Sequence, residues 1–154
     1  MRSSHPRPIY GGAWSRAKAC AAASFAAALA LLGPARPVGA QAVHVVRLEF
    51  DTDDGIGRFV PARVTVRPGD VVRFRVVSGA PHSVSFEAAG LSAAARDLLN
   101  AALPGRTADL TSPVLGRNGM EYRLVVPALP PGHYDFFCIP HRAYDMRGEL
   151  IVVR

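Results

Sequence analysis

The sequence predicts an all-β domain, an antiparallel sandwich or barrel with one short helix set into a connection. Three observations carry this. Residues 41–154 fall into about seven short runs rich in Val, Phe, Tyr and Leu, parted by Pro/Gly turns. The clearest runs alternate apolar and charged residues, which gives a strand one dry and one wet face. A single stretch, Leu91–Leu103, has apolar residues at helical spacing instead.

Val43–Phe50 (VHVVRLEF) reads as the first strand, and Asp51–Gly55 (DTDDG) as a polar turn whose acids are solvated. Arg63–Val77 reads as a hairpin. Val64 and Val66 alternate with Arg63, Thr65 and Arg67, the turn falls at Pro68-Gly69-Asp70, and Val72, Phe74 and Val76 alternate with Arg73 and Arg75. Its arginines form a wet face rather than a binding patch. His82–Phe86 (HSVSF) is a short strand. Leu91, Ala95, Leu98, Leu99 and Ala102 share one helix face, with Ser92 as the cap and Pro104-Gly105 as the stop. A loop runs from Arg106 to Gly119, and Glu121–Val126 is a strand. The next strand carries Tyr134, Phe136 and Cys138 on one face, and Gly148–Val153 closes the domain. No internal repeat, dividing linker or glycine-rich phosphate loop interrupts this order.

The net charge of +6 does not mark a nucleic-acid binder. Five basic residues and no acids lie within 1–40, which leaves thirteen basic against twelve acidic residues in 41–154. No nucleic-acid partner is expected. Residues 1–40 read as a secretory signal peptide: a basic start to Lys18, an Ala/Leu-rich run from Ala19 to Leu32, a break at Gly33-Pro34, and small residues around Ala40 and Ala42 where cleavage fits. The apolar run is short for a membrane span. The domain is therefore 41–154, expected in the periplasm or outside the cell, with membrane association only if the leader is retained. Cys20 leaves with the leader, so the exported chain keeps Cys138 alone. A lone cysteine in an exported protein is a free thiol or is occupied by a metal.

Cys138, His141 and Met146 lie within nine positions, spaced C-x2-H-x4-M, on the loop before the last strand. A buried inert thiol, a Cys–His nucleophile and a metal site are the open readings. The nucleophile reading leaves Met146 unexplained. Thiolate, imidazole and thioether together select copper, and a blue-copper site needs a second imidazole. His44, His82 and His133 are the candidates. His82 is best placed, opening a strand directly after Pro81, whereas the strand before Cys138 carries His133 away. Met146 is open to two readings, axial ligand or core filler.

The segments PHSVSF and YDFFCIPHRAYDMRGELIVV resemble the plastocyanin/pseudoazurin group of cupredoxins, and RVTVRPGDVVRF and PPGHYDFFC are similar to that group too. The resemblance covers nearly all of 43–154. It implies a Greek-key β-sandwich with one type 1 copper ion. His82, Cys138 and His141 would be the strong equatorial ligands and Met146 the long axial one. It also implies a non-enzymatic, monomeric carrier of single electrons between redox proteins such as a cytochrome or a copper oxidase. A second reading is a copper-binding cupredoxin that serves copper delivery, storage or oxidase assembly. His141 is the ligand expected nearest solvent, beside a docking patch of Pro140, Ala143 and Tyr144. Three departures stand out. Residues 87–118 enlarge a variable connection and are expected to cover a sheet edge or shape a partner surface. Ser83 stands where Asn is frequent, and Asp145 where a small residue is common. A carboxylate there is expected to favour oxidised copper and lower the potential.

Overall fold

A computed structural model describes residues 41–154; the leader expected over 1–40, with Cys20, lies outside the described residues. Strand β1 (Val43–Asp51) turns through Asp53 and Asp54 into β2 (Ile56–Val60), and β3 (Arg63–Val66), β4 (Val71–Val76) and β5 (Ser85–Phe86) follow. After helix α1 (Ala93–Ala102) come β6 (Glu121–Val125), β7 (Gly132–Phe137) and β8 (Arg147–Val152). The strands form two four-stranded sheets, ordered β2-β1-β4-β6 and β3-β8-β7-β5. Buried residues of both sheets make one core, so the architecture is a β-sandwich.

The sheets are mixed rather than wholly antiparallel: β1 pairs with β4 and β3 with β8 in parallel. The cause is a crossing that alternation alone does not reveal. Arg63–Val77 is not a hairpin; β3 lies in one sheet and β4 in the other. Period two states which face is buried, and says nothing about the partner. The turn between them is built to cross. Gly69 takes φ +93°, and Asp70 is buried with its carboxylate accepting the N–H groups of Arg67 (2.9 Å) and Ala42 (3.1 Å) and a contact from His44 Nε2 (3.2 Å). Gly69 N–H donates to Val126 C=O and Val126 N–H to Asp70 C=O, which pins the turn to the end of β6.

Strand β2 is absent from the expectations above, because Gly57 and Arg58 break its apolar pattern. It forms a ladder with β1 from Arg47–Val60 to Asp51–Ile56. It also delivers Phe59 to the centre of the core. There Phe59, Phe74, Phe86 and Phe136 meet edge to face, with Phe136 at 4.8 Å from Phe59, 5.5 Å from Phe74 and 5.9 Å from Phe86. Edge-to-face contact aligns ring edges with the electron-rich faces and fixes the rings in orientation.

Helix α1 begins at Ser92, whose Oγ accepts the Ala95 N–H at 3.2 Å, and buries Ala95 and Leu99. The chain then returns along β5. His82 bridges Leu115 and Ser85 bridges Thr111, while Val84 donates to Ser112 Oγ at 2.9 Å. The 87–118 segment thus covers the free edge beside β5. Among the described residues no helix is long and apolar enough to cross a membrane.

Candidate metal centre

Cys138 follows directly on β7, whose inward residues Tyr134 and Phe136 are buried, and its thiol continues that inward face. The chain then folds back at once. Arg142–Tyr144 form one 3-10 turn, Asp145 takes the left-handed conformation (φ 54°), and β8 begins at Arg147. Cys138 N–H donates to Met146 C=O at 3.0 Å and Met146 N–H to His141 C=O at 3.4 Å, so the two ends of the loop are laced together. His82 reaches the same place from the connection between β4 and β5. Its backbone exchanges hydrogen bonds with Leu115, 3.1 Å and 2.8 Å.

The three side chains converge. Cys138 Sγ lies 3.6 Å from His82 Nδ1 and 3.4 Å from His141 Nδ1, and the donor atoms of all three fall within 4.8 Å of one another. A trigonal ion with bonds of about 2.0–2.3 Å holds its donors about 3.5–4 Å apart, so these side chains fit one metal without moving far. Cys138, His82 and Met146 have no exposed surface, and His141 is 7% exposed. The two other candidate imidazoles are elsewhere: His44 meets Asp70, and His133 meets Glu149 Oε1 at 2.7 Å on the surface.

Surrounding groups set the direction of each donor. His82 Nε2 donates to Ser78 C=O at 2.8 Å, which leaves Nδ1 unprotonated and facing the thiol. Phe50 stacks on the His141 ring at 4.1 Å and 17°, and Tyr144 packs edge-on against Phe50 at 4.9 Å. Cys138 Sγ accepts the Ser83 N–H at 3.4 Å, and Ser83 Oγ accepts the Ile139 N–H at 3.0 Å. One serine therefore ties the His82 strand to the Cys138 loop. Met146 lies against bare backbone at Gly57. None of Ser78, Phe50, Gly57 or Leu115 was foreseen.

The electrostatics suit a soft cation. Burial lowers the basicity of both imidazoles, with the neighbouring His82 adding to the effect at His141. Both shifts favour the neutral rings, the form that can bind a metal. Burial pushes the Cys138 thiol up, against smaller opposing hydrogen bonds from Ser83 and His141. A metal that binds here must displace that proton, and the enclosed thiolate it creates is then neutralised by the ion. The Asp145 carboxylate lies in solvent rather than in this enclosure. Its side chain is 84% exposed and paired with Arg147 at 2.7 Å.

The family model for copper binding proteins of the plastocyanin/azurin family matches residues 46–153. A chloroplastic plastocyanin minor isoform of Arabidopsis thaliana is 30% identical over 131 residues, 85% of this chain and 67% of that one. Plastocyanin of Rumex obtusifolius is 29% identical over 116 residues, 70% of this chain and 99% of its own. The structure of oxidised plastocyanin from Dryopteris crassirhizoma superposes with a TM-score of 0.55 at 27% identity, covering 71% of this chain and 99% of that one.

Proposed function

Because this chain belongs to the plastocyanin/azurin family of copper binding proteins, we propose that it is an exported one-electron carrier. Its cofactor is one type 1 copper ion. His82, Cys138 and His141 would be its strong ligands and Met146 a weaker thioether donor. The observation that carries this is the convergence of two Nδ1 atoms on one buried thiol at 3.4 and 3.6 Å.

Bound copper supplies a centre that takes up and gives back a single electron. The chain's part is to hold the donors still, so that little moves when the charge changes. Ser78 and Leu115 fix His82, Ser83 fixes the thiol, and Phe50 fixes the His141 ring. The route to a partner runs through His141, the one donor with exposed surface. Around it Ile139 and Tyr144 are 49% and 52% exposed, and Pro140 and Ala143 are exposed beside them. That apolar rim suits brief contact with a redox protein such as a cytochrome or a copper oxidase. The protein works in the periplasm or outside the cell, a reading supported by the signal-like composition of residues 1–40.

Visible spectroscopy with a redox titration of the copper-loaded protein tests this. An intense thiolate-to-copper band with reversible one-electron cycling, lost in Cys138→Ser, is the expected result. A colourless protein that takes Cu(I) and passes it to an acceptor overturns the carrier and supports copper delivery.

A further inference from the structure

Gly57 has no conformational reason to be glycine. It sits inside β2, opposite Phe50 in the β1–β2 ladder, and is not among the glycines with positive φ. Glycine in a strand interior weakens the strand, and often marks a place where another group comes close. Here the close group is Met146. A Cβ on Gly57 would stand 2.9 Å from Met146 Cβ and 3.2 Å from both its Cγ and its Sδ. The contact runs along the whole stem of the side chain, so rotating the far end does not relieve it. Nor can the backbone of Met146 retreat, since its C=O accepts from Cys138 and its N–H donates to His141.

We propose that Gly57 is a positioning residue for the Met146 thioether: the bare backbone of β2 leaves the space in which the sulfur settles at its axial place. This rests on the reading of His82, Cys138, His141 and Met146 as the copper ligands. A methyl group at 57 pushes the stem aside and draws the sulfur off its axis. The axial donor tunes the potential of such a site, so the effect of a substitution remote from the equatorial plane reaches the metal. The cross-strand neighbour acts on the other loop ligand, because the Phe50 ring lies on His141. One rung of one ladder therefore contacts both.

The test compares the copper-loaded full chain with Gly57→Ala, Met146→Leu and the control Gly116→Ala, where an added Cβ meets nothing within 4 Å. Visible spectrum, copper hyperfine splitting and reduction potential are read for each. Gly57→Ala is expected to keep the thiolate band and to shift the potential in the same direction as Met146→Leu, by less. Gly116→Ala is expected to match the parent. A folded, loaded Gly57→Ala with the parent's spectrum and potential overturns the proposal. If Gly57→Ala alone fails to fold, the double variant with Met146→Gly, which removes the Cβ at 2.9 Å together with the rest of the stem, is expected to fold and load; its failure overturns the proposal as well. The underlying site reading fails separately, by the parent lacking the thiolate band or by Met146→Leu leaving the spectrum unchanged, and the proposal then falls with it.

Discussion

Ser83 shows how much one hydroxyl can settle. Its Oγ receives the Ile139 N–H while its own N–H points at the Cys138 sulfur, so the loops that carry His82 and Cys138 are joined through a residue 1% exposed. Ser83→Ala leaves a part-buried N–H without a partner, which costs about 1–3 kcal/mol. The expected result is a lower thermal midpoint and faster copper loss, both measurable on the loaded protein, with the thiolate band retained. At Asp145 the surroundings argue for a weaker effect than its charge alone suggests. Its carboxylate is exposed and paired with Arg147, and exposed pairs act weakly through water. Asp145→Asn is expected to leave the reduction potential close to that of the parent; a marked rise would restore a direct influence on the metal. The donors themselves were legible, since C-x2-H-x4-M in a short loop brings three metal-binding groups together whatever surrounds them. Their supports were not. Ser78 acts through a carbonyl, Leu115 through its backbone and Gly57 through the lack of a side chain, and none of these leaves a trace in residue chemistry.

At the level of elements, the crossing turn before β4 bears on acid stability. Hydrogen bonding, first from the Arg67 N–H, holds the Asp70 carboxyl below its ordinary value of 3.8. A carboxylate depressed by folding stabilises the native state above the unfolded value, and that contribution disappears as pH falls through the lower, folded value. Thermal melts from about pH 6 to about pH 2 should show the parent well above Asp70→Asn near neutrality, with the gap closing in acid. A gap independent of pH would argue against the ionised carboxylate as its source. Helix α1 was legible in cap, face and stop because its periodicity is strong and local. Its fully buried Leu99 makes Leu99→Ala cost about 2–5 kcal/mol, read from denaturant unfolding. The strand pairings were less legible. Alternation in Arg63–Val77 identified both buried faces correctly, yet the partners of β3 and β4 depend on β8, β1 and β6, which are remote in sequence. Strand β2 was hidden by the same glycine that serves Met146.

For the whole molecule, the exposed rim around His141 is the proposed meeting place with redox partners. Tyr144→Lys or Ala143→Glu places a charge on this exposed surface while all four donors are kept. Stopped-flow exchange with a redox partner should slow, while the visible band keeps its intensity. A variant with unchanged exchange would move the contact elsewhere.

The separation of the donors has a further consequence. His82 and Cys138 stand 56 positions apart, and among the described residues Cys138 is free, with no disulfide to join distant parts of the chain. An ion shared by the two is a clasp around that long loop, and in the chain-entropy view a link of this span restricts the unfolded chain by about 4 kcal/mol. The cofactor is thus also the domain's buckle. A molecule that has lost its copper should melt earlier and be cut sooner by proteases, so that the surviving population records the supply of metal as well as the strength of the fold.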